Sequence, residues 1–67
     1  MTAKELQTKI YEELDSIDIR NEHELRMFIK RSVNFTASRM KMPVSMAAKT
    51  VYSIMVSYKE KNYGKTS

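Results

Sequence analysis

The chain has 67 residues, with twelve Lys and Arg against eight Asp and Glu, one His, one Gly and no Cys. A chain this short makes one domain at most and buries only about 60% of its unfolded surface, so an isolated core is marginal. Without cysteine there is no disulfide or thiolate metal centre, a lone histidine lacks the further ligands zinc takes, and a single glycine cannot build a Gly-rich phosphate loop.

Apolar and charged fractions of 42% and 30% are those of an ordinary folded domain. The start, Met-Thr-Ala-Lys-Glu, leads into no apolar run, so a signal peptide is not expected. The longest uncharged run, Thr50 to Tyr58, is far shorter than the roughly 20 residues of a membrane span. A cytoplasmic location with no membrane partner is the resulting expectation, and residues 1–67 form a single helical domain.

Thr2 followed by Glu5 is a capping box and starts a helix at Ala3. Leu6, Ile10, Leu14 and Ile17 then recur on a 3.6-residue period, with Glu12, Glu13 and Asp15 largely off that stripe. Those acids do not converge on one point, so they read as a solvated face and not as a cation site. Ser16 to Arg20 breaks the pattern as a connection, with Ile17 and Ile19 expected to pin it to the core. Asn21 and Glu24 repeat the capping logic, and His23 falls in the first turn facing solvent.

The second helix is expected over about 22–41. At 100° per residue Leu25, Ile29, Val33, Thr36 and Met40 share its core face, with Phe28 and Phe35 on the edge. The opposite face collects Met27, Lys30, Arg31, Asn34, Ser38 and Lys41, without an acid. Residues 32–36 are poor helix formers, so a break near Asn34 is the alternative, giving a helix-turn-helix-like arrangement. Pro43 closes the segment.

The third helix is expected over about 44–62, with Ser45 as its cap if it starts later. Val44, Ala47, Ala48, Val51, Ile54, Met55 and Tyr58 form its apolar face, and Met46, Lys49, Thr50, Ser53, Ser57 and Glu60 its far side. Gly64 is the natural left-handed stop, leaving 64–67 as a frayed tail. The fold class is therefore all-α, a small three-helix bundle.

Charge is distributed unevenly. Residues 1–24 hold seven acids against Lys4, Lys9 and Arg20, a balance of −4, while the remainder holds nine cations against Glu60, a balance of +8. Such polarity points to a polyanion partner. On the two later helices Lys30, Arg31, Asn34, Lys41, Lys49, Thr50 and Ser53 form the candidate nucleic-acid face, with cations for phosphates and Asn, Ser and Thr for the backbone or base edges. Ala37 supplies the small residue of a helix-turn-helix, but Lys41 stands where its glycine usually does, and Val44-Ser45 and Thr50-Val51 match the pattern at the wrong spacing.

The rival reading is protein binding. Met27 and Met46 project from polar faces, and Tyr52, Val56, Lys59 and Tyr63 form a second stripe on the third helix. Methionine adapts to irregular surfaces and tyrosine anchors interfaces, so Met27, Met46, Tyr52, Val56 and Tyr63 are the candidate partner or homodimer interface. No catalytic residue, cofactor or metal is expected. The expected role is a small regulator that binds nucleic acid, with the size and the Lys, Met and Ile usage giving a bacterial or phage impression; the alternative is an adaptor or inhibitor that docks on another protein.

Overall fold

The first helix, α1 (Ala3–Ser16), begins where the capping box places it. The Thr2 hydroxyl oxygen accepts the Glu5 amide at 3.1 Å, and the Glu5 carboxylate accepts the Thr2 amide at 2.8 Å. Two amides left over by the first helical turn are thereby satisfied. In this computed structural model the backbone is described for residues 1–63 and side chains for residues 1–61. A tight connection follows α1, in which the Asp18 carboxylate accepts the Arg20 amide and the Asp18 carbonyl accepts the Asn21 amide, both at 3.0 Å.

The second helix, α2 (Glu22–Arg39), is capped by Asn21, whose side-chain oxygen accepts the Glu24 amide at 3.2 Å. It runs unbroken through Asn34, so the two-helix alternative is not adopted. Packing of its buried side supplies what the weak formers at 32–36 lack in propensity. It stops at Arg39, two residues earlier than the pattern predicts, because Lys41 turns into the left-handed region at φ 52°. The Met42 amide then reaches back to the Ala37 carbonyl at 3.1 Å, the six-to-one bond of a Schellman motif.

The third helix, α3 (Val44–Tyr63), starts directly after Pro43, whose carbonyl accepts the amides of Met46 at 3.0 Å and Ala47 at 2.9 Å. Ser45 therefore lies inside the first turn. Gly64 and the expected tail lie outside the described residues.

The three helices form an all-α bundle whose core is Leu6, Ile10 and Leu14 from α1, Phe28 and Val33 from α2, and Ala47 and Val51 from α3. Phe28, expected on an edge, is fully buried and stands among the largest enclosed side chains. Its neighbours one and two turns on are Ser32 and Thr36, also buried, so the true centre of the α2 face is partly polar and hydrophobicity alone misplaces it. Ile17 packs against the core, whereas Ile19 is exposed, so one of the two isoleucines secures the connection. Val44, expected on the apolar face, is 59% exposed.

Length explains that exposure. The 14 residues of α1 extend about 21 Å and the 20 of α3 about 30 Å, so α1 cannot cover α3 from end to end. The shallow groove between them sets Ala3, Leu6 and Gln7 against Lys49, Thr50 and Ile54. Further along, the Tyr11 and Tyr58 rings meet edge-on at 5.4 Å, and the Tyr58 hydroxyl donates to Asp15 at 2.5 Å. The first turn of α3 thus projects past the start of α1.

Candidate nucleic-acid interface

The outward stripe of α2 is the one that the helical period predicts. Met27, Lys30, Arg31, Asn34 and Ser38 are all exposed, opposite the buried line of Phe28, Ser32 and Thr36. Lys41 is exposed too, set off the helix by its left-handed backbone at the corner between α2 and α3. Beyond the corner, Ser45, Met46, Lys49 and Ser53 are exposed and fall within an arc of about 100° on α3.

Two ion pairs occur among the described residues, Lys9 with Glu13 at 3.8 Å and Arg26 with Glu22 at 2.8 Å, each between residues four apart on one helix. Neither uses Lys30, Arg31, Lys41 or Lys49. Other cations are occupied by rings: Lys9 Nζ lies 4.8 Å and Arg39 Cζ 5.5 Å from the centre of Phe35, and Lys61 Nζ lies 5.6 Å from that of Tyr11. Such contacts hold a cation against the protein surface.

The candidate residues do not form one continuous set. Lys49, Thr50 and Ser53 line the same groove, with Met40 and Met42 of the corner at its other wall and no carboxylate among its lining residues. Arg31 instead borders a cleft between α1 and α2 with Lys9, Glu13 and Phe35, so one of the acids of α1 stands near it. Lys30 and Asn34 line neither depression. Thr50 is half-buried, and its hydroxyl donates to the Met46 carbonyl at 3.0 Å, which leaves it positioned to brace the helix more than to reach outward.

No family model, curated protein or solved structure matches the chain.

The residues read as a protein interface also separate. Tyr52 and Val56, 52% and 55% exposed, wall a second groove of about 340 Å³ whose floor is Leu14, Leu25 and Met55 and whose rim includes Ile19 and Lys59. Met27 and Met46 are 42% and 55% exposed but line none of these grooves, and the side chain of Tyr63 lies outside the described residues. Sequence reasoning missed Ile19 and Leu25 as parts of this groove. The spacing of Leu25 assigns it to the core, and nothing in a one-dimensional pattern shows that the α1–α2 connection stops short of covering it.

Among the described residues no three His, Cys, Asp or Glu side chains gather as a metal set. The acids are used locally instead. Hydrogen bonds from the Thr2 amide, and then from the Thr2 hydroxyl, hold the Glu5 carboxyl below its ordinary value. Among the described residues no helix is long and apolar enough to cross a membrane.

Proposed function

We propose that the protein is a small non-catalytic regulator that binds nucleic acid through the outer stripe of α2, the α2–α3 corner and the start of α3. The observation that supports this most is the state of its cations. Lys30, Arg31, Lys41 and Lys49 are exposed and enter no ion pair among the described residues, although seven of the eight acids of the chain precede them. Four cations meeting four phosphates of a duplex release counterions with a slope of about −3.6 in log affinity against log salt, a loss of roughly a hundredfold between 50 and 200 mM. Fluorescence anisotropy with labelled nucleic acid at several salt concentrations tests this. Replacing the four cations by Gln should flatten the slope and remove binding. Affinity that ignores salt, or no binding to any nucleic acid at 50 mM salt, refutes it.

The second reading, an adaptor or a homodimer joined through Tyr52 and Val56, draws support from the groove they wall, because two large side chains more than half exposed beside an apolar floor gain nothing in an isolated monomer. Light scattering on the wild type and on Val56→Asp separates the cases. A mass of two chains that falls to one in the variant favours self-association, and a single-chain mass in both removes the dimer.

A further inference from the structure

We infer that the partner is duplex DNA and that the projecting first turns of α3 are the part that enters the major groove, with Ser45, Met46 and Lys49 on base edges and Lys30, Arg31 and Lys41 on phosphates. This rests on the nucleic-acid reading above and goes beyond it in naming the form of the nucleic acid and the residues that read it.

Three observations lead there. The first is reach: α1 lines α3 from Lys49 onward, and on the turn before it Val44 is 59% and Met46 55% exposed while Ala47 alone is turned fully into the core. A helix of about 10–12 Å diameter lies in the roughly 12 Å major groove of B-DNA when the face it presents is uncovered, as the face of Ser45, Met46 and Lys49 is. The second is the corner. Four residues, Met40 to Pro43, separate α2 from α3, and Lys41 holds at φ 52° the left-handed backbone that such a turn usually gives to glycine. The residue is thus a lysine at a position where glycine would be easier, and its charge lies beside the projecting turn. The pattern of a helix-turn-helix fails on residue type at this position, but the backbone conformation is the one the motif uses.

The third is the chemistry of the exposed side chains. A single strand is held by stacking bases on aromatic faces. Among the described residues the rings do not offer a run of such platforms beside the cations: Phe28 is buried, Phe35 carries Lys9 and Arg39, Tyr11 and Tyr58 engage each other, and Tyr52, one turn from Lys49, is a single ring that also walls the groove with Leu25. What the projecting turn offers is a hydroxyl, a long flexible apolar chain and an ammonium within one arc. Those are a donor or acceptor for a base edge, a contact for the thymine methyl and a donor for guanine.

The test selects duplexes from a random pool with the wild-type protein. It then measures anisotropy on the enriched duplex, on either of its single strands, and on the same duplex with thymine replaced by uracil. Ser45→Ala/Met46→Ala is compared with Lys30→Gln/Arg31→Gln, each checked for helical content by circular dichroism. The expected result is an enriched duplex bound at least tenfold more tightly than its single strands, with about tenfold of its advantage over random duplex lost in Ser45→Ala/Met46→Ala. The Lys30→Gln/Arg31→Gln variant should weaken both duplexes alike and reduce the salt slope by about 1.8. Salt-dependent binding with no enrichment, with preference for single strands, or with enrichment unchanged in Ser45→Ala/Met46→Ala overturns the assignment to α3 while leaving the nucleic-acid reading standing. Absence of binding to every pool overturns both.

Discussion

Thr36 is fully buried on the inner side of α2, and among the described residues its hydroxyl oxygen finds no hydrogen-bond partner; Ser32, one turn earlier and 3% exposed, shares that condition. An unpaired buried hydroxyl costs about 1–3 kcal/mol. Thr36→Val replaces the hydroxyl by a methyl of nearly the same size, keeps the branched Cβ and its rotamer restriction, and hardly changes helix propensity. A hydroxyl on a helix can also turn toward the carbonyl four residues back with small adjustments, which places the expected gain at the lower end, about 1 kcal/mol. In a domain of this size 1 kcal/mol moves the melting temperature by about 4–8 °C. Ser32→Ala should act in the same direction, with better helix propensity partly offset by a small void, and the pair should be less than additive because the two sites adjoin. Urea unfolding followed by circular dichroism measures both, with an unchanged denaturant slope showing that the unfolded state is not the source. A lower midpoint for Thr36→Val would show that the hydroxyl is satisfied within the folded protein, and the reasoning would fail.

Lys41→Gly should stabilise the fold by about 0.5–1 kcal/mol, since a non-glycine residue in the left-handed region is strained, while the salt slope for nucleic acid should fall by about 0.9; a loss of stability would show that the Lys41 side chain makes a contact worth more than the strain. Ala47 is wholly buried. Ala47→Leu should therefore cost about 1–3 kcal/mol by forcing the surrounding helices apart, visible as a lower midpoint in urea. The Glu5 carboxyl, held below its ordinary value of 4.5, contributes stability that is present above that value and lost as the pH falls through the lower folded-state value. Glu5→Gln should accordingly melt below the wild type at pH 7, and the two curves should converge on acidification; a gap that persists at pH 2 would assign the effect to something other than the carboxylate.

What was readable in the sequence was whatever depends on neighbours three or four residues apart. Thr2 with Glu5 set the first helix, Asn21 with Glu24 set the start of the second, and the line of Leu6, Ile10 and Leu14 named the buried face of α1 in full. The outer stripe of α2 followed from the same period. The end of α2 did not, because the chain there is stopped by the backbone of Lys41, a residue with no intrinsic preference for that conformation. Phe28 falls on the edge of the expected stripe because that stripe, although it includes Thr36, leans away from Ser32, which tertiary packing buries. The candidate site was legible as a set of exposed residues and not as a surface. Whether Lys49 lies nearer to Lys41 or to the acids of α1 depends on how three rods of unequal length are stacked, which no helical period contains.

The acids of the first third explain why the basic residues of the other two thirds remain available. Each described contact of an acid is short-range or neutral: Glu5 closes its own cap, Glu13 pairs with Lys9 and Glu22 with Arg26 four residues away, and Asp15 accepts from the neutral Tyr58 hydroxyl. The pairs are exposed or half-exposed and lie on single helices, so each is worth about 0.3–0.5 kcal/mol and is weakened further by salt. Had the acids paired instead across the bundle with Lys30, Arg31, Lys41 or Lys49, the charge separation visible in the sequence would have cancelled on folding. Held within their own helices, they leave it intact. Folding of this chain and the polyanion binding proposed for it therefore draw on different residues, the first on an apolar core that salt leaves nearly untouched and the second on exposed cations that salt screens strongly.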